Sequence, residues 1–119
     1  MKFLWVTLTV KNMEDSLKFY QEIVGLPVAR RFKAEGVGEI AFLCDGDTKL
    51  ELIENPSWSE PQYGRELSIG FEVDSLEEKM QFIRDKGLAV EGPFAPNPHV
   101  RFFFVKDPSG IRVQFVENR

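Results

Sequence analysis

LELIEN at positions 50–55 and VQFVEN at positions 113–118 agree in residue type at five of six positions and lie 63 residues apart. The same offset carries Val10 onto Val73, Met13 onto Leu76, Leu17 onto Met80 and Phe19 onto Phe82, so VTLTVKNMEDSLKFY aligns with IGFEVDSLEEKMQFI without a gap. Two windows at one offset mark an internal repeat, and the chain reads as two copies of a unit of about 55 residues. Module one covers 1–56 and module two 67–119; SWSEPQYGRE at 57–66 joins them, its Pro, Gly, Ser and charges suiting an exposed connector. With 119 residues, 43% of them hydrophobic, there is enough chain for a single domain with one core and too little for two of ordinary size.

Periodicity gives each copy the same order of elements. In LWVTLTV, Leu4, Val6, Leu8 and Val10 alternate with Trp5, Thr7 and Thr9, the period of a strand. Asn12 then caps a helix with Glu14 and Asp15 in its first turn and Leu17, Tyr20 and Val24 along one face; Gly25 and Pro27 stop it. VARRF is a strand, and EIAFLC and KLELIE flank DGD as a hairpin. In module two, LSIGFEV alternates in the same way. Ser75 and Glu78 form a capping box before a helix with Leu76, Met80 and Ile83 inward, ended by Gly87. LAVEGPF is a short strand, and DPSG is a type I turn between RFFFVK and IRVQFVE. The prediction is an α+β fold, βαβββ-βαβββ, with the helices covering one face of the sheet.

The opposite face then carries Trp5, Thr7, Thr9, Lys49, Glu51, Ile53, Ser68, Gly70, Glu72, Arg112, Gln114 and Val116. An indole, two carboxylates, a guanidinium, hydroxyls and an amide, with room left at Gly70, have the makeup of a small-molecule site; the same face could also be a solvated surface or a dimer contact.

Composition excludes other classes. The 15 basic and 19 acidic residues give a net charge of −4 with no basic stripe, which argues against nucleic acid. No apolar run approaches the roughly 20 residues that cross a bilayer, and MKFLWVTLTVKNMED lacks the parts of a signal peptide, so a cytoplasmic protein is expected. The single cysteine, Cys44, has no partner for a disulfide and reads as a small buried apolar residue.

Paired βαβββ units, the segment LKFYQEIVGLPV, and a late DPSG before a strand ending in VE resemble the vicinal-oxygen-chelate superfamily of glyoxalase I, bleomycin-resistance proteins, fosfomycin-resistance enzymes and extradiol dioxygenases. The resemblance covers nearly the whole chain. It implies two modules curling into an open-barrel sheet with helices on the convex face, often with a site formed between modules of two subunits in a homodimer. In metal-using members, two first-strand and two last-strand positions supply His and Glu ligands; on this chain they fall on Trp5, Glu51, Ser68 and Gln114. Of these only Glu51 is a good ligand for a divalent metal.

The resemblance and the residues together lead to an expectation of metal-independent binding of a small organic molecule in the cup, with no cofactor. Trp5 would stack on a ring, Thr7, Ser68 and Gln114 would hydrogen-bond, Glu51 and Glu72 would attract positive charge, and Arg112 would neutralise one of those acids or hold an anionic group. A divergent glyoxalase-type lyase or isomerase, with Glu51 as its catalytic residue, and a non-catalytic dimerisation module are the alternatives. His99, the only histidine, reads as a surface residue, although a metal held by Glu51, Glu72 and His99 is conceivable; Trp58 either anchors the connector or lids the opening.

Overall fold

The alternation in LWVTLTV becomes strand β1 (Trp5–Thr9) in a computed structural model of the chain, which describes every residue except Arg65. Arg65 belongs to the expected connector and lies outside the described residues. Met1–Gln62 and Tyr63–Arg119 form two compact units.

In the first unit β1 leads to helix α1 (Met13–Lys18), which continues as a π-helical turn (Phe19–Val24), and then to β2 (Val28–Ala34), β3 (Gly38–Leu43) and β4 (Lys49–Glu54). The sheet order is β1-β4-β3-β2, with β1 parallel to β4 and the other pairs antiparallel. The Asn12 side chain accepts the Asp15 N–H at 2.9 Å, satisfying one of the free donors of the first turn. Met13, Leu17, Phe19, Tyr20 and Ile23 are buried, as are Leu8, Val10, Leu50 and Leu52 from the strands. Each such leucine contributes roughly 1.5–3 kcal/mol by leaving water. The expected helix face of Leu17, Tyr20 and Val24 is corrected at its far end. After Lys18 the turn widens from α to π, which rotates Ile23 into the core and leaves Val24 half-buried. Gly25, at φ 94°, ends the helix, its N–H and that of Leu26 both donating to the Tyr20 carbonyl.

The second unit repeats the plan with β5 (Ser68–Glu72), α2 (Leu76–Asp85), β6 (Glu91–Asn97), β7 (Val100–Lys106) and β8 (Arg112–Asn118), in the order β5-β8-β7-β6. Ser75 Oγ accepts the Glu78 N–H at 3.2 Å, and Leu76, Met80 and Ile83 are buried. In DPSG one Asp107 carboxylate oxygen accepts the N–H groups of Ser109 and Ile111, each at 2.9 Å. The strand expected at LAVEGPF is shifted, because Leu88 donates its N–H back to Ile83 in the exit from α2, and pairing with β7 begins only at Glu91. Cys44 is half-buried rather than fully buried, at φ 90°, and burial raises the pKa of its thiol.

The repeat also places one contact twice. Glu54 Oε1 accepts the Met13 N–H at 3.0 Å, and Glu117 Oε2 accepts the Leu76 N–H at 2.8 Å. In each unit a carboxylate on the last strand thus holds the first turn of the helix, where free N–H donors and the positive dipole end favour an anion. The shared EN ending of LELIEN and VQFVEN is structural.

Candidate functional site

Strand register builds one row of side chains across the sheet face away from the helix in each unit. In the first, Thr7 pairs with Glu51, Glu51 with Phe42, and Phe42 with Arg30. In the second, Gly70 pairs with Gln114, Gln114 with Phe104, and Phe104 with Glu91. The expected correspondence of Glu51 with Gln114 and of Trp5 with Ser68 is reproduced in the register of each sheet, and Gly70 stands in the second unit where Thr7 stands in the first.

In the first unit Thr7 Oγ1 donates to Glu51 Oε1 at 2.5 Å, fixing a carboxylate that is only 9% exposed. Trp5, 45% exposed, stands edge-on to Phe42 with ring centres 5.5 Å apart; Phe42 in turn stacks on Phe32 at 6.3 Å, and the Arg30 guanidinium lies 4.9 Å over Phe32. The result is an aromatic wall beside one oriented acid. Lys49 is turned aside, its Nζ donating to the Gly46 carbonyl in the hairpin.

In the second unit Gln114 Oε1 lies over Gly70, where an added Cβ would come within 3.2 Å of it. That glycine therefore makes space for the amide, and the Gln114 side chain has no hydrogen-bond partner among the described residues. Phe94, Phe102 and Phe104 form a second aromatic cluster, with ring centres 5.6–6.2 Å apart. Arg112 lies 3.8 Å over the Phe104 ring and pairs with Glu91 at 2.8 Å, so it neutralises neither Glu51 nor Glu72 as expected from the sequence. Glu72 instead accepts a 2.7 Å hydrogen bond from Asn118, and Ser68 stands exposed opposite Arg112.

The rings of Phe32, Phe42, Phe94, Phe102 and Phe104, and Arg30 and Glu91, escape sequence reasoning. EIAFLC and RFFFVK are continuous apolar runs in which no period shows, and only pairing with β4 and β8 reveals that Phe42 and Phe104 face the acid and the amide. His99 sits in the β6–β7 turn, its N–H donating to Asn97 and its carbonyl accepting from Arg119. Trp58, 44% exposed, borders an open groove of about 960 Å³ in the first unit. That groove is not lined by Trp5, Thr7, Glu51 or Phe42, and its Arg31 is already engaged by Glu14 and Glu39.

The four positions that the family resemblance assigns to a metal carry an indole, a carboxylate, a hydroxyl and an amide. Trp5 offers no lone pair, Ser68 and Gln114 are weak neutral donors, and Glu51 alone suits a divalent transition metal. Among the described residues no cluster of three His, Cys, Asp or Glu side chains has metal-binding geometry. These residues do not fit the His and Glu ligand set of the metal-using members.

Residues 2–115 match the model of the Glyoxalase/Bleomycin resistance protein/Dioxygenase superfamily. Lactoylglutathione lyase of Neisseria meningitidis is 33% identical over 129 aligned positions, covering all of this chain and 92% of that protein; the Haemophilus influenzae lyase is 29% identical over 128 positions, covering 100% of this chain and 94% of its own. Among solved structures, the trypanothione-dependent glyoxalase I of Leishmania major superposes with a TM-score of 0.84 at 22% identity, covering 98% of this chain and 86% of the other. TnmS3, an antibiotic-binding protein of Streptomyces sp. CB03234, gives 0.82 at 20% identity over 100% and 97%. The structures share the fold with this chain. No helix among the described residues is long and apolar enough to cross a membrane. A repeated βαβββ unit, one four-stranded sheet of the same strand order in each copy and a match spanning nearly the whole sequence place this chain in the glyoxalase/bleomycin resistance/dioxygenase superfamily.

Proposed function

We propose that the chain binds a small planar organic molecule against an aromatic-walled sheet face, without a metal ion, as drug-sequestering members of its superfamily do. The observation that carries this reading is Trp5: an indole left half-exposed, in edge contact with Phe42, beside a nearly buried Glu51 that Thr7 holds in place. A ring of the ligand stacks on the indole while Glu51 accepts a hydrogen bond or meets a positive charge. The metal-free part rests on donor chemistry at Trp5, Ser68 and Gln114. A thermal-shift screen of planar aromatic compounds, neutral and cationic, tests it. Stabilising compounds should lose their effect in Trp5→Ala, and an unchanged shift would remove Trp5 from the site.

A second reading, a glyoxalase-type lyase or isomerase, is favoured by the 33% identity to a lactoylglutathione lyase over the whole chain. In it Glu51 is the proton-transferring group, the one carboxylate among the four family positions. Elemental analysis and an assay of lactoylglutathione lyase activity separate the two readings. A stoichiometric transition metal and a turnover both lost in Glu51→Gln would support the enzyme.

A further inference from the structure

We infer that the second unit holds a subsite for a small organic carboxylate, built on Arg112 and Lys106. This rests on the reading above in taking the Gln114 face as a binding surface, and extends it by giving the second unit a place for an anionic group.

The subsite is a cavity of about 240 Å³ whose walls include Leu88, Val90 and Phe104, with Glu91, Lys106 and Arg112 as its charged groups. Drug-sized sites run to roughly 300–1,000 Å³, so this one suits a single ring or a short branched chain. Its charge balance is two cations against one carboxylate, on a chain whose net charge is −4. A positive pocket on an acidic protein selects anions locally.

The geometry adds to the charge. Lys106 and Arg112 are directly paired across β7 and β8, which sets both cations on adjacent strands at one level of the sheet. Lys106 has no ion-pair partner among the described residues. The Arg112 guanidinium carbon lies 3.8 Å from the centre of the Phe104 ring, a cation–π contact that holds the group at this face, and one of its N–H groups donates to Glu91 at 2.8 Å. The Glu91 side chain is 60% exposed, so that ion pair is of the kind water screens strongly and a competing carboxylate can replace. An incoming carboxylate takes the fork of Arg112 in place of Glu91, with Lys106 beside it, while its apolar body lies on Phe104, Leu88 and Val90. Glu91 acts as an internal competitor that empties the site of weak anions.

Benzoate and benzamide, one ring with and without a charge, provide the test. Each is titrated into nitrogen-15-labelled protein at neutral pH while the amide signals of Phe104 and Arg112 are followed. Benzoate should produce saturable shifts there and bind about tenfold more tightly than benzamide. Arg112→Gln should weaken benzoate about tenfold and Lys106→Gln by less, whereas Glu91→Gln, which frees the guanidinium, should strengthen it. Should Arg112→Gln fail to fold, the opposite signs expected for Lys106→Gln and Glu91→Gln still decide. Equal binding of benzoate and benzamide, or weaker benzoate binding in Glu91→Gln, overturns the carboxylate subsite while leaving the face a binding surface. Binding of neither compound overturns the subsite and counts against the binding face as well.

Discussion

Glu51 and Gln114 stand at one position of a repeated unit, and their neighbours differ in a way that fits each. Thr7 donates to the carboxylate of Glu51, while its counterpart Gly70 has no side chain and the Gln114 amide lies over it. Gly70→Ala would set a methyl 3.2 Å from Gln114 Oε1, a contact the flexible amide can relieve by moving. Stability in urea should change by less than about 0.5 kcal/mol, while affinity for compounds contacting Gln114 should fall several-fold; unchanged affinity would take the amide out of the site. Glu117 makes a second residue-scale prediction. Hydrogen bonds from Arg119, then from the Leu76 N–H and Arg101, hold its carboxyl at about 2, against an ordinary 4.5. A folded-state value below the unfolded one means that the stabilisation is complete above pH 4.5 and lost as pH falls from 4.5 toward 2. Urea midpoints of the wild type and Glu117→Gln should therefore differ at neutral pH and converge through that window; a difference independent of pH would contradict the assignment.

At the scale of elements, strands buried on one face with the other face partly open were legible, and strands without visible alternation were not. β1, β5 and β8 alternate in sequence and in burial, and β4 alternates in sequence alone because Glu51 is buried with Leu50 and Leu52, so the facing of Thr7, Glu51, Gly70 and Gln114 followed from the sequence pattern. β3 and β7 put apolar side chains on both faces, Ala41 and Phe103 toward the core and Phe42 and Phe104 away from it, which erases the period. Phe42 in the first aromatic wall and Phe102 and Phe104 in the second were hidden for that reason. The helix in the first unit was legible at its cap and lost its phase where the π turn begins, since nothing in FYQEIV announces a wider turn. Gly25 is a test of that ending. At φ 94°, with nothing within 4 Å of an added Cβ, Gly25→Ala meets only backbone strain and should cost roughly 1–2 kcal/mol. Gly46→Ala, equally open but without a positive φ, should be nearly neutral by the same urea titration. Equal costs would refute the role given to the helix end.

For the whole molecule, duplication explains both the strength and the reach of the sequence reading. One 63-residue offset fixes two sheets, two helix caps and the equivalence of Glu51 and Gln114 within their own units, and the family match over residues 2–115 agrees with it. What the repeat could not supply is what differs between the copies: the Arg112–Glu91 pair, the Phe94 cluster and the shifted start of β6 belong to the second unit alone. A binding face, unlike an interface between copies, predicts that Trp5→Glu leaves the molecular mass in light scattering unchanged; conversion to a smaller species would favour the dimer contact. The central claim is met most directly by the thermal-shift screen run on protein treated with a metal chelator. At least one planar aromatic compound should raise the midpoint of the treated protein as much as of the untreated one, and Trp5→Ala should remove the shift. Stabilisation that appears only when a divalent metal is restored, and persists in Trp5→Ala, would contradict it.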